Sequence, residues 1–214
     1  MELRYTLISD GSSDAALLPI LTWLLRAQGV KQAIQPEWAD LRRLRWSAKP
    51  TLVDKIVGGI ELYPCDLLFV HRDAEKAARS VRVMEIEKAI NKARHRTEMP
   101  QAVCVVPIRM QEAWLLFDED AIRAAAGNRG YRGQLELPSL KNVEQVPDPK
   151  VVLHQLLKQA CGLTGRRLKS FRAESHARRV SEFIPDFSAL RILPAFAALE
   201  DDIARLAHSQ GWNT

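Results

Sequence analysis

The sequence predicts an α/β protein with a mostly parallel sheet flanked by helices, and three observations lead there. Apolar runs of strand length recur in the first half of the chain, at residues 3–9, 33–38, 66–70 and 101–108. Segments with apolar residues at helical spacing separate them, and β-α-β-α-β-α-β alternation is what a parallel sheet covered on both faces requires. The first and third runs stop abruptly in charged residues, Asp10-Gly11-Ser12-Ser13-Asp14 and His71-Arg72-Asp73-Ala74-Glu75. In such sheets the carboxyl ends of strands are where loops gather ligands.

Each element has its own signal. Leu3, Tyr5, Leu7 and Ile8 make the first strand, and a turn follows at Gly11. A helix is predicted over 14–28. Ser12 or Ser13 can cap it, Leu17, Leu18, Ile20, Leu21, Leu24 and Leu25 recur at helical spacing, and Gly29 ends it. Residues 33–38 form the second strand, and 42–49 read as an exposed basic connection. Pro50-Thr51 opens a helix to about residue 62, weakened internally by Gly58-Gly59. The third strand leads to a helix over roughly 76–96, with Val83, Ile86, Ala89 and Ile90 on one face. The run Val103, Cys104, Val105, Val106 suits burial on both faces of the sheet.

Beyond it the chain reads as helical. A helix is predicted over 118–126, and 127–133 is a loop. Asp148-Pro149 is a strong helix start, a capping carboxylate with proline at the first position, and Leu153, Leu156, Leu157 and Ala160 form its apolar face. Pro194 opens a final helix with Phe196, Leu199, Ile203 and Leu206 on one side. The division expected is an α/β domain over 1–118 and a helical C-terminal part, 119–214, packed on it.

Composition narrows the class. With 47% hydrophobic and 27% charged residues in 214, the chain resembles an ordinary globular protein able to bury a core without staples. No apolar run approaches the roughly 20 residues that span a bilayer, so no membrane association is expected. Met1-Glu2-Leu3-Arg4-Tyr5 lacks a signal-peptide layout, and cytoplasmic residence is the expectation. Cys65, Cys104 and Cys161 are widely spaced, and neither CxxC nor HExxH occurs, so free structural thiols are expected. The net charge of +5 permits nucleic-acid binding. Basic residues cluster at Arg42, Arg43 and Arg45, at Arg166, Arg167, Lys169 and Arg172, and at Arg178 and Arg179.

The chemistry-bearing candidates are Asp10, Asp73, Glu75 and Glu112, delivered to one sheet edge by the first, third and fourth strands. Carboxylates that close drive one another toward protonation unless a cation lies between them. Mg²⁺, or Mn²⁺ in its place, prefers a few carboxylates with water and substrate phosphate, so Asp10, Asp73 and Glu75 are the expected metal ligands. Such a metal orients an attacking water and offsets charge on a phosphoryl group. Arg72 or Arg109 would grip the scissile phosphate, with Lys169 and Arg172 holding the strand. His71 lies inside the acidic cluster as a metal ligand, an acid's partner, a proton relay or a satisfied structural histidine. Asp14, Asp118 and Asp148 read as loop-surface residues or helix N-caps. There is no GxSxG and no GxxxxGK[ST], which leaves no obvious nucleophile or phosphate loop.

Three stretches carry a resemblance: Ile8-Ser9-Asp10-Gly11-Ser12-Ser13-Asp14 with Leu17-Leu18-Pro19, Phe69-Val70-His71-Arg72-Asp73-Ala74-Glu75, and Pro107-Ile108-Arg109-Met110-Gln111-Glu112-Ala113-Trp114-Leu115-Leu116. Together they resemble the TOPRIM-like family known as domain of unknown function 4276. The helical tail around Asp148-Pro149-Lys150 and Gly165-Arg166-Arg167-Leu168-Lys169 looks familial too. TOPRIM domains occur in topoisomerases, primases and overcoming-lysogenization-type nucleases. The resemblance implies Mg²⁺-dependent phosphoryl transfer by a glutamate after strand one and an acidic D-x-D pair after strand three. Here Asp10 stands in the glutamate's place, and either Asp73-x-Glu75 or His71-x-Asp73 stands in the pair's. It implies more loosely a co-encoded ATPase partner in phage defence or abortive infection. The expected function is thus a metal-dependent nuclease acting on DNA or RNA. The alternatives are an inactive TOPRIM-fold interaction module and a basic nucleic-acid-binding protein using its C-terminal segment.

Overall fold

Residues 2–213 are described by a computed structural model. In chain order it contains β1 (Glu2–Ile8), α1 (Leu17–Ala27), β2 (Ala33–Trp38), α2 (Leu52–Leu62), β3 (Leu67–His71), α3 (Arg79–Ala93) and β4 (Gln101–Val105). Then follow α4 (Glu119–Ala125), α5 (Pro149–Ala160), α6 (Gly165–Ser170), α7 (Ala173–Ala177), α8 (Val180–Phe183) and α9 (Pro194–Ser209). The four strands form one all-parallel sheet in the order β2-β1-β3-β4. The expected α/β class and all four expected strands are present. No helix among the described residues is long and apolar enough to cross a membrane.

Side-chain alternation along the strands sorts the core into two layers, since successive residues point to opposite faces. Leu67 and Phe69 of β3 join Tyr5, Leu7, Val103 and Val105 beneath α1 and the C-terminal helices. Leu68 and Val70 face the other way, with Ile8, against α2 and α3. β3 is buried along its whole length, which explains its unbroken apolar run. β4 is an edge strand and meets its expectation in part: Val103 and Val105 are buried on one face, while Ala102 and Cys104 on the other are only half-buried. β2 is the opposite edge. It tolerates Pro36 because a proline costs no ladder hydrogen bond where no strand lies beyond.

Two helix starts show how local chemistry sets boundaries. α2 begins with Thr51 and Asp54 capping each other's backbone N–H groups, and α5 begins as expected with Asp148 accepting from Val151. The helix expected from residue 14 instead opens as a 3-10 turn over Ser12–Ala16 before α1. Pro19 lies in the first turn of α1 and has no N–H to extend the regular ladder backward.

Gly58-Gly59 proves to be a packing device. A Cβ on Gly59 would stand 2.6 Å from Cδ1 and 3.1 Å from Cγ1 of Ile8, which is fully buried. On Gly58 it would meet the end of the half-buried Leu44 side chain, at 2.7 Å. Alanine in a helix gains about 1 kcal/mol over glycine, while overpacking a core costs roughly 1–3 kcal/mol. Chemical denaturation should therefore show Gly59→Ala destabilised by about 1 kcal/mol or more and Gly58→Ala near neutral. Equal stabilisation of both would contradict this packing.

The C-terminal helices are not an appendage. One apolar cluster runs from Leu3, Tyr5 and Phe69 through Trp114 and Leu153 to Phe196 and Ile203. The three cysteines are free, as expected.

Candidate functional site

Beyond β3 the backbone keeps bonding to the chain that follows β4. The N–H groups of Arg72, Ala74 and Glu75 donate to the carbonyls of Val105, Pro107 and Arg109. This ladder fixes the 72–75 loop and delivers Asp73 into a cavity of about 280 Å³ at the carboxyl edge of the sheet. Asp10, Asp14, His71, Glu75 and Arg82 line the same cavity. Glu75 and Arg109 have φ of 54° and 64° and are the non-glycine residues with positive φ among those described. Such backbone costs on the order of 1–3 kcal/mol per residue and concentrates at functional loops.

The centre of the cavity is a histidine between two carboxylates. His71 is buried, and its Nδ1 lies 3.0 Å from the Val105 carbonyl oxygen. A carbonyl can only accept, so Nδ1 carries the proton and the neutral ring presents a lone pair at Nε2. Burial holds the ring's pKa below the ordinary value, opposed by the charge of Asp14. Nε2 stands 3.5 Å from Asp73 Oδ1 and 4.0 Å from Asp14 Oδ2. Asp73 is pushed up to about 8, first by burial and then by the charges of Asp14, Glu112 and Glu75. Its one resolved hydrogen bond is from the Gln111 N–H, at 2.9 Å.

The other acids are already matched with cations. Asp10 Oδ1 accepts from Lys55 at 2.6 Å, and Arg72 Nε is 3.6 Å from its Oδ2. Burial pulls the Asp10 carboxyl up, but these two cations outweigh it and hold it below the ordinary range. Glu75 pairs with Arg82 at 3.1 Å on the rim. Arg72 also bonds Glu85. Glu112 is buried but lines a neighbouring cavity, so it reaches Asp73 only through its charge. Lys169 and Arg172 are exposed on the α6–α7 segment and, like Arg109, line neither cavity.

The expected acids Asp10, Asp73 and Glu75 thus share one cavity. Two participants were not foreseen. Asp14 was expected to be a loop-surface residue or a helix N-cap; it accepts from the Gly11 N–H, yet it is buried and faces His71. Gln111 ties the centre together: its N–H holds Asp73, and its Nε2 donates to Asp14 Oδ1 at 3.0 Å. The charged pattern of residues 10–14 was a visible signal for Asp14, whereas Gln111 carried none.

Among the described residues no three His, Cys, Asp or Glu side chains form a ready-made metal cage. The donor chemistry nonetheless fits a divalent cation. A buried carboxylate, a half-buried one and a ring lone pair converge with no resolved donor between them, and a cation would relieve the repulsion that contributes to raising Asp73. No protein-family model, curated protein or solved structure matches the chain.

Proposed function

We propose that this chain is a TOPRIM-like phosphodiester hydrolase, a nuclease working with Mg²⁺ or Mn²⁺. The observation that carries this reading is the convergence of Asp73, Asp14 and the bare Nε2 of His71 at the carboxyl edge of a parallel sheet. Asp73 and Asp14 would hold the cation with His71 beside them, which favours the His71-x-Asp73 register over Asp73-x-Glu75. The metal, when bound, would supply charge to offset that building on the phosphoryl group and lower the pKa of a coordinated water.

The rest falls to the chain's own groups. Gln111 fixes both carboxylates by two hydrogen bonds, so their positions need no rearrangement on substrate binding. Lys55 and Arg72 hold the Asp10 carboxyl below the ordinary range at the rim, and Arg72 is engaged there by both Asp10 and Glu85. With Asp10 held by Lys55, its part is to anchor these cations beside the metal ligands. The ladder from 72–75 to 105–109 keeps the loop rigid.

The direct test incubates purified protein with labelled single- and double-stranded DNA and RNA in Mg²⁺, Mn²⁺ and EDTA. Cleavage of at least one substrate is expected with metal and none in EDTA. Cleavage that persists in EDTA, or none of any substrate in either metal, counts against the reading. A non-catalytic module with the same fold would give the second result.

A further inference from the structure

A second cavity of about 450 Å³ is lined by the Gly11–Ser13 turn, the 3-10 turn after β4, α5 and α7. Gly11 lines both cavities, and so the two adjoin. We propose that this second cavity holds a phosphate of the nucleic-acid strand beside the scissile one, with Lys150 and Arg178 as its ligands. The proposal rests on the phosphodiester reading of the acidic centre.

The charge distribution points there. Most cations around the acidic centre are consumed: Lys55 and Arg72 by Asp10, Arg82 by Glu75 and Glu85. Lys150 and Arg178 line the second cavity and make no salt bridge among the described residues. A guanidinium and an ammonium that line one cavity outside any salt bridge are a fitting pair for a tetrahedral oxyanion. Ser12 and Ser175 add hydroxyls to the same wall.

Two acids, Glu112 and Glu174, line the same cavity. Glu112 is buried, and burial raises its pKa against the pull of its own backbone N–H and of Lys150. Glu174 is exposed, and His154 is driven toward neutrality chiefly by burial and then by Lys150. A further link is Gln111. It is 2% exposed, forms part of this wall, and its Oε1 lacks a hydrogen-bond donor while its other groups grip Asp14 and Asp73. A strand seated here would press on the residue that positions the acidic centre. Arg178 follows α7 directly, and the basic residues Arg166, Arg167, Lys169 and Arg172 precede that helix in the chain.

The test is fluorescence anisotropy of a labelled single-stranded oligonucleotide, in EDTA to prevent cleavage. Lys150→Gln with Arg178→Gln should weaken binding about tenfold or more and lower the salt slope by roughly 1 to 2. The control is Lys88→Gln with Lys92→Gln, the same charge change on the exposed face of α3, which should leave binding within about twofold. Equal losses in the two double variants overturn the proposal, because net charge alone then explains them. Displacement of the oligonucleotide by inorganic phosphate at comparable concentration also overturns it, by assigning the cavity to a free anion. Melting curves of both variants separate binding loss from misfolding. If binding falls as expected but no metal-dependent cleavage exists, the phosphate site stands and the nuclease reading fails. If cleavage is metal-dependent and binding is indifferent to Lys150 and Arg178, the reverse holds.

Discussion

Asp73→Asn is expected to abolish metal-dependent cleavage while making the metal-free protein more stable. The two effects have one cause, a carboxylate held where its charge is disfavoured. Asp73 rises from 3.8 to about 8 through burial and the nearby charges of Asp14, Glu112 and Glu75. Below about pH 4 neither the folded nor the unfolded chain is ionised here, so the site imposes no penalty. Between about 4 and 8 the unfolded chain releases the proton and the folded one keeps it, and stability falls as pH rises. Above about 8 both states are ionised and the loss is complete. Asparagine keeps the shape without the charge, and its Oδ1 can still accept from the Gln111 N–H.

In EDTA the variant should therefore match wild type near pH 4 and exceed it by on the order of 2–4 kcal/mol near pH 8. Saturating Mg²⁺ or Mn²⁺ should reverse the order, since a ligand that binds only the folded state stabilises it by mass action. Cleavage should fall by about 10³-fold, because several kcal/mol of charge stabilisation depends on the held metal. Denaturant titrations at several pH values decide the matter. A variant no more stable than wild type near pH 8 in EDTA would show that Asp73 is not repelled as its surroundings imply.

Much of this fold was legible because its signals are local. Residues 66–70 read as a strand from their apolar run alone, and Asp148-Pro149 marked the start of α5 from a cap and a fixed φ. What was hidden depends on distant partners. The status of β4 as an edge follows from sheet order, which no spacing within 101–108 encodes. The apolar run there fitted burial on two faces, yet the face that carries Ala102 and Cys104 is only half-covered. In the site, the charged tips of the first and third strands were visible, and Asp10, Asp73 and Glu75 do share a cavity. Which acid keeps a free charge was invisible, because Lys55 reaches Asp10 across 45 positions and Gln111 reaches Asp14 across 97. Those long-range bonds shift the centre of the site from Asp10 and Glu75 toward Asp14, His71 and Asp73.

Trp114→Ala is expected to lower the stability of the whole chain by about 3–5 kcal/mol, the range for deleting a large aromatic side chain from a core. Trp114 is fully buried, and its ring meets Phe196 of α9 edge-to-face, with centroids 5.3 Å apart and planes at 82°. Trp23 of α1 contacts the same Phe196 at 6.4 Å, so one aromatic from the final helix joins α1 to the segment after β4. The buried indole N–H meets the carboxyl of Glu144, whose pKa burial raises and this contact lowers. Trp114→Phe removes that donor while keeping most of the ring, and it should cost well under half as much. If residues 1–118 and 119–214 were separable units, denaturation would show two transitions and the alanine substitution would move one. A shared cluster from Leu3 to Ala207 predicts one transition that shifts as a whole, with secondary and tertiary structure lost together. The same coupling means that the helical part fixes the position of Gln111 through Trp114, three residues on in the same 3-10 turn. Loss of the aromatic contact should then loosen Asp73 and Asp14 as well, and Trp114→Ala should lose the metal-dependent rise in melting temperature even under conditions where it remains folded.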